Sequence, residues 1–118
     1  MTSAARSPIT THVLDTALGQ PARGLAVKLE AQDGAGAWIE LAARATDADG
    51  RVGDLIPPGS LQARTYRLTF DTGAYLRSAG RPVFYPLVVV TFAVAAPGEH
   101  HHVPLLLAPF GYSTYRGS

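Results

Sequence analysis

Four histidines are the side chains best placed to move a proton near neutral pH, and they fall in two places. His12 stands in Ile9-Thr-Thr-His-Val-Leu-Asp15, which reads as an opening strand. His100, His101 and His102 run directly into Val103-Pro-Leu-Leu-Leu107. Alternate side chains of a strand point to opposite faces. His100 and His102 should therefore share an outer face with Pro104 and Leu106, and His101 should follow Val103 inward. Two imidazoles on one face beside an apolar patch suit an acid–base pair. They would also suit a metal, because a His-x-His pair with a distant third histidine resembles the ligand set of some zinc hydrolases. A solvated polar strand end would read the same way, and the carboxylate beside the tract is that of Glu99.

Two further stretches could carry recognition. Arg51 follows Asp47-Ala-Asp-Gly50. The Asp-x-Asp-Gly spacing faintly matches the start of a calcium loop, but the later ligands and the closing glutamate are missing, which favours a hairpin turn. Arg51 would then lie just beyond the turn, where its fork of donors could meet an anionic or carbonyl-rich ligand. The tail, Gly111-Tyr-Ser-Thr-Tyr-Arg-Gly-Ser118, lacks the charge-rich look of a frayed end and reads as a strand with two tyrosines and an arginine.

The elements that must position these groups are strands. The chain has 118 residues, 47% of them apolar, enough for one domain that buries roughly two-thirds of its unfolded surface. Cysteine is absent, which excludes a disulfide framework, a thiolate metal site and a cysteine nucleophile. Ten basic and nine acidic side chains leave a net charge of +1, no footprint for nucleic acid or an anionic membrane. No apolar run approaches the ~20 residues that span a bilayer. Residues 1–10 lack an apolar h-region, so the expected compartment is the cytoplasm.

Twelve glycines and nine prolines cut the chain into short segments. Leu25, Val27, Leu29 and Ala31 alternate with Lys28 and Glu30, and Tyr66, Leu68 and Phe70 with Arg67 and Thr69. From Trp38 to Thr46, Ile39, Leu41, Ala43 and Ala45 are expected on one face, opposite Glu40 and Arg44. Asp33-Gly-Ala-Gly36 suits a hairpin between the Leu25–Ala31 and Trp38–Thr46 segments. One short helix is expected over Thr72–Ala79, with Thr72 as N-cap and Gly80 as stop. In Leu87-Val-Val-Val-Thr-Phe-Ala-Val94 both alternating faces are largely apolar. A sandwich of this length has no third layer to cover the outer face, which favours an oligomer built through the C-terminal strands. The reading is an all-β, two-sheet β-sandwich with one short helix: a single domain over 9–118 behind a flexible segment at 1–8.

Four motifs in order, Thr10-Thr-His-Val-Leu-Asp15, Asp49-Gly-Arg51, the His-Val-Pro-Leu-Leu-Leu of 102–107 and Tyr115-Arg-Gly-Ser118, together resemble the transthyretin-like 5-hydroxyisourate hydrolases of urate degradation. The resemblance runs from about Ile9 to Ser118. It implies a prealbumin-like sandwich of two four-stranded sheets, and a homotetramer assembled as a dimer of dimers with sites in a central channel between subunits. The implied reaction opens the lactam ring of 5-hydroxyisourate to give 2-oxo-4-hydroxy-4-carboxy-5-ureidoimidazoline. It implies His12, Arg51 and His102 as catalytic residues and Tyr115, Arg116, Gly117 and Ser118 as substrate-binding ones, with no metal and no organic cofactor. His101 stands where the family has tyrosine. The alternative of the same fold is a transthyretin-like carrier of small aromatic ligands, from whose pattern the set His12, Arg51, His102 and the tail departs.

Overall fold

The computed structural model describes residues 6–118; the first five residues of the segment expected to be flexible lie outside the described residues. Ser7 is buried, its hydroxyl accepting from the Ile9 and Ile56 amides. The elements are β1 (Ile9–Asp15), β2 (Gln20–Pro21), β3 (Ala26–Gln32), β4 (Trp38–Ala45), β5 (Arg51–Val52), β6 (Thr65–Phe70), α1 (Thr72–Ser78), β7 (Val88–Ala93), β8 (His101–His102), β9 (Leu105–Ala108) and β10 (Gly111–Thr114).

They form two sheets with the core between them. One sheet runs β4-β3-β6-β7, antiparallel throughout. The other contains six strand segments, yet it is four positions wide, because β1 is flanked by two short segments in succession on each side. On one side β5 pairs with Thr11 and His12, and β2 with Leu14 and Asp15. On the other, β8 runs parallel to Ile9 and Thr10, and β9 to Val13 through Asp15, with β10 beyond. Pro104 separates β8 from β9, since it has no N–H to give the ladder. Its carbonyl accepts instead from the Thr114 hydroxyl at 2.7 Å.

The alternation read from β3, β6 and β9 is the one the core uses, and β1 follows the same rule. Ile9, Val13, Leu25, Val27, Leu29, Leu68, Phe70, Leu105 and Leu107 are buried between the sheets. The β4 face differs from expectation. A bulge opposite Leu29 and Glu30 leaves Leu41 unpaired, so Ala42 faces Leu29 and is buried, whereas Ala43 and Ala45 sit across from Lys28 and Ala26. One extra residue inverts the parity of everything after it, and a period-2 reading carried through Leu41 assigns that half to the wrong side. Leu87 and Val89 stand exposed beside the edge and on the outer face of β7, with Val88 and Val90 turned into the core. Among the described residues, no helix is long and apolar enough to cross a membrane.

The helix forms where expected, but its cap is Asp71, whose carboxylate accepts from the Ala74 amide at 3.0 Å. Thr72 is helical and spends its hydroxyl on the Tyr85 carbonyl. Gly80, with φ of +68°, lets the Arg81 amide turn back to the Leu76 carbonyl and close the helix. Beyond it, Arg81 donates to both oxygens of the buried Asp15 at 2.5 and 3.1 Å, and the Tyr75 hydroxyl donates to the same carboxylate at 2.8 Å. This cluster docks the helix onto the end of β1. Burial pushes the Asp15 carboxyl up, but the bonds from Arg81 and Tyr75 outweigh it and hold the group below its ordinary value.

Asp15→Ala is expected to destabilise the fold by about 3 kcal/mol at neutral pH, because it strands a cation against the protein. The lowered carboxylate pKa means this contribution is complete above roughly pH 4, the unfolded value, and is lost as pH falls through the folded one. Denaturant unfolding of the two proteins should therefore converge in acid.

Candidate active site

The outer face of β1 carries Thr10, His12 and Leu14, since Ile9, Thr11, Val13 and Asp15 fill the inner one. Registers on either side bring the chemistry to this face. Arg51 of β5 lies directly opposite His12, and His102 of β8 directly beside Thr10. Strand parity puts His101 inside, buried, with its Nδ1 2.9 Å from the Glu99 carbonyl oxygen.

Arg51 owes its place to a tight turn. One oxygen of Asp47 accepts from the amides of Asp49 and Arg51, both at 2.9 Å, and the Asp47 amide donates to the Arg51 carbonyl at 3.0 Å. The Arg51 amide is the main reason the Asp47 carboxyl lies below its ordinary pKa. Its carboxylate thus works within the hairpin turn, as the sequence favoured. Gly50 has φ of +76°, and a Cβ there would lie 2.4 Å from the Val13 carbonyl oxygen. Glycine is what lets the turn come close enough for β5 to pair with β1.

His102 is held on three sides. Its Nδ1 is 2.8 Å from the Thr10 hydroxyl, and that same hydroxyl is 2.9 Å from His100 Nε2. The two imidazole rings lie nearly parallel, 6.4 Å apart. Gly117 closes the third side. Its amide donates to the His102 carbonyl at 2.7 Å, and a Cβ on it would sit 2.7 Å from His102 Cδ2. The bare glycine backbone is the wall against which the ring rests. Burial, then the charge of Arg51, then His100, His12 and Arg6, push the His102 pKa down. Burial, followed by Arg6, His101 and Arg116, does the same to His100. Both rings are therefore neutral at pH 7.

These residues surround a pocket of about 280 Å³ lined by Arg6, Thr10, Arg51, His100, His102 and Ser118, with Thr11, Val52 and Gly53 completing it. The structure thus brings together Arg51, His102 and Ser118, with Gly117 behind His102. His12 is next along the same face, paired with Arg51, but does not line this pocket. Tyr115 and Arg116 lie elsewhere. They line a larger apolar cavity of about 390 Å³ with Phe92 and His101. Arg116 donates to Glu99 at 3.0 Å and to the His100 carbonyl at 3.1 Å, tying the tail to the strand before His102.

Thr10 and Arg6 were not singled out from the sequence. Thr10 could have been found from parity, being two residues before His12 on one strand. Arg6 precedes the first strand and carries no periodic signal. Among the described residues, no group of three or more acidic or histidine side chains is arranged to hold a metal. The sites of Thr10 on both His100 and His102 engage the two rings with a hydroxyl instead.

Residues 9–117 match the sequence model of the HIUase/transthyretin family. The chain is 46% identical over 113 residues to a 5-hydroxyisourate hydrolase of Mus musculus, covering 95% of this chain and 96% of that protein. Among solved structures, sea bream transthyretin in complex with thyroxine superposes with a TM-score of 0.89 at 34% identity, covering 94% of this chain and 95% of that one. The Klebsiella pneumoniae 5-hydroxyisourate hydrolase superposes with a TM-score of 0.79 at 37% identity, covering 93% and 97%. Shape alone does not separate the two activities, since both folds match.

In an NMR titration the His102 imidazole should remain neutral to lower pH than a free histidine side chain, and Arg51→Ala should move its midpoint upward. Gly117→Ala should displace the His102 ring resonances while those of His101, on the inner face, stay in place.

Proposed function

The chain belongs to the HIUase/transthyretin family, and on that premise we propose that it hydrolyses 5-hydroxyisourate, opening the six-membered lactam ring. The observation that carries this reading is the convergence of Arg51 and His102, with His12 alongside, on one polar face of a fold that is otherwise a plain sandwich. A carrier of apolar ligands has no use for imidazoles set beside a guanidinium.

The chemistry follows from the placement. His102, kept neutral by burial and by the cations around it, takes a proton from water. The water oxygen bonds to the lactam carbonyl carbon, and Arg51 stabilises the negative charge that develops on the carbonyl oxygen. As the tetrahedral species collapses, the carbon–nitrogen bond breaks and the proton held by His102 passes to the leaving nitrogen. The product carries a new carboxylic acid, which ionises at neutral pH with release of a proton to solvent, and the net change of the hydrolysis is the addition of one water. His12, one step along the face from this pocket and opposite Arg51, is assigned to orient the part of the ring that reaches beyond it. Neither a metal nor an organic cofactor enters these steps.

We assign Tyr115 to Ser118 the wall of the substrate pocket in the assembled protein. Ser118 lines the pocket in the single chain, Gly117 backs His102, and Arg116 anchors the tail through Glu99. The assembly we propose is a homotetramer, a dimer of dimers. The exposed apolar side chains Phe84, Leu87, Val89, Phe110 and Tyr112 support it, because a lone sandwich gains nothing from leaving them in water. We propose the cytoplasm as its compartment.

The test is a coupled absorbance assay in which urate oxidase generates 5-hydroxyisourate and its ultraviolet decay is followed. The protein should accelerate decay, with or without a chelator. His102→Asn and Arg51→Ala should each lower kcat/KM by about 100-fold or more. Decay at the spontaneous rate from folded protein would overturn the hydrolase reading in favour of a carrier, to be followed up by ligand-binding titration.

A further inference from the structure

The Thr10 hydroxyl has one proton and two imidazole neighbours: His102 Nδ1 at 2.8 Å and His100 Nε2 at 2.9 Å. Both contacts are hydrogen bonds; the hydroxyl can donate in only one of them, and where it donates to one ring it must accept from the other. The three groups therefore form a chain with a direction, and that direction decides which nitrogen of His102 carries its proton. If His102 Nδ1–H donates to Thr10 and Thr10 donates to His100 Nε2, then His102 Nε2 has a free lone pair. If the chain runs the other way, His102 Nε2 is protonated and cannot act as a base.

We propose that Thr10 and His100 are positioning residues that set His102 in the Nδ1–H tautomer, leaving its Nε2 lone pair free to accept a proton. The geometry favours this polarity. His102 Nδ1 is taken up by Thr10, so Nε2 is the nitrogen left to accept a proton, which it can do only when Nδ1 carries the ring's own. The Thr10 oxygen then accepts from His102, and its proton has His100 Nε2 2.9 Å away as an acceptor. The company the rings keep adds to this. His102 faces Arg51, His100, His12 and Arg6, and His100 faces Arg6, His101 and Arg116, the last paired with Glu99. Burial among cations keeps both rings neutral, so neither carries the second proton that would erase the direction of the chain. Gly117 then fixes the ring plane by resting its backbone against Cδ2, so the tautomer set at Nδ1 presents Nε2 in one orientation.

Thr10 is thus tied to His102 by more than packing. Its Oγ1 is the one side-chain partner of His102 Nδ1 among the described residues. Serine would keep the hydroxyl, whereas valine would keep the β-branched shape that suits this strand and lose it.

The inference rests on the hydrolase reading, in which His102 is the base, but its readout does not. Long-range proton–nitrogen correlation spectra of the ¹⁵N-histidine-labelled protein at pH 7 report each tautomer directly, whether or not the protein turns over. His102 should appear as the Nδ1–H form in the wild type and in Thr10→Ser. In Thr10→Val and His100→Phe it should shift towards the Nε2–H form. In the absorbance assay Thr10→Val should lower kcat about 10-fold or more with KM changed less than about twofold, and Thr10→Ser should restore most of the loss. A wild-type His102 protonated on Nε2, or a Thr10→Val protein with the wild-type tautomer and kcat, would overturn the proposal. So would equal losses in the serine and valine variants, which would mark Thr10 as a packing residue. A wild type with no hydrolase activity but the Nδ1–H form would overturn the function while leaving the hydrogen-bond polarity standing.

Discussion

Everything at the candidate site depends on β1 being paired along both of its edges. A strand hydrogen-bonded on one side would leave its other row of amides to solvent, and its outer face would have neighbours on one flank only. Here β5 and β2 occupy one edge and β8 and β9 the other, so the outward side chains of β1 meet partners from both directions. His12 acquires Arg51 from one side, and Thr10 acquires His102 from the other. The inward side chains of the same strand are core: Ile9 and Val13 are fully buried, and Thr11 spends its hydroxyl on the Val103 carbonyl at 2.6 Å. One strand serves at once as the centre of packing and as the floor of the chemistry, and the pleat keeps the two roles on separate faces.

That arrangement requires interruptions on both sides. A continuous strand along either edge of β1 would supply regular pairing but not the changes of direction that bring in the turn and the tail. Pro104 breaks the ladder between β8 and β9 and frees a carbonyl for Thr114, so that β10 and the tail fold back over His102. Gly50 permits a turn whose closest approach is to the backbone of β1 itself. The two residues with the least capacity for ordinary strand geometry are the ones that aim Arg51 and His102. Asp15 completes the frame from the far end of the same strand, fastening it through Arg81 and Tyr75 to the helix that follows the opposite sheet.

Much of this was legible in the residue order, and the parts that were not share a physical cause. Alternation in β3, β6 and β9 identified buried faces correctly, and parity placed His101 inward and His100 and His102 outward. The Asp47–Gly50 turn and the short helix with its Gly80 stop were also readable from local chemistry. Local reading failed where a single residue shifted the phase or a cap could sit at either of two neighbours. Leu41 is a bulge that nothing in Trp38–Ala45 announces, since an extra residue in a β-strand is visible only against its partner. Asp71 and Thr72 are both good caps, and the choice went to aspartate because Thr72 is drawn to the Tyr85 carbonyl. The junction of Thr10 with two histidines some ninety residues away is a property of register, which residue types do not encode singly. The motifs and their family resemblance supplied His12, Arg51 and His102, but the separation of Tyr115 and Arg116 from the pocket that Ser118 lines required coordinates.

The distance along the chain between the two halves of the site has a consequence for biosynthesis. Thr10 and His102 are 92 positions apart, and Gly117 must arrive after both. Contacts this remote are closed late, because the entropy of the intervening loop is lost before they return anything. A growing chain emerging from the ribosome can assemble the β4-β3-β6-β7 sheet from contiguous segments. It cannot present a base, a guanidinium and a pocket wall together until Gly117 has emerged as well. The site is therefore among the last parts of the fold to close, and a chain cut short of Gly117 lacks the wall behind His102.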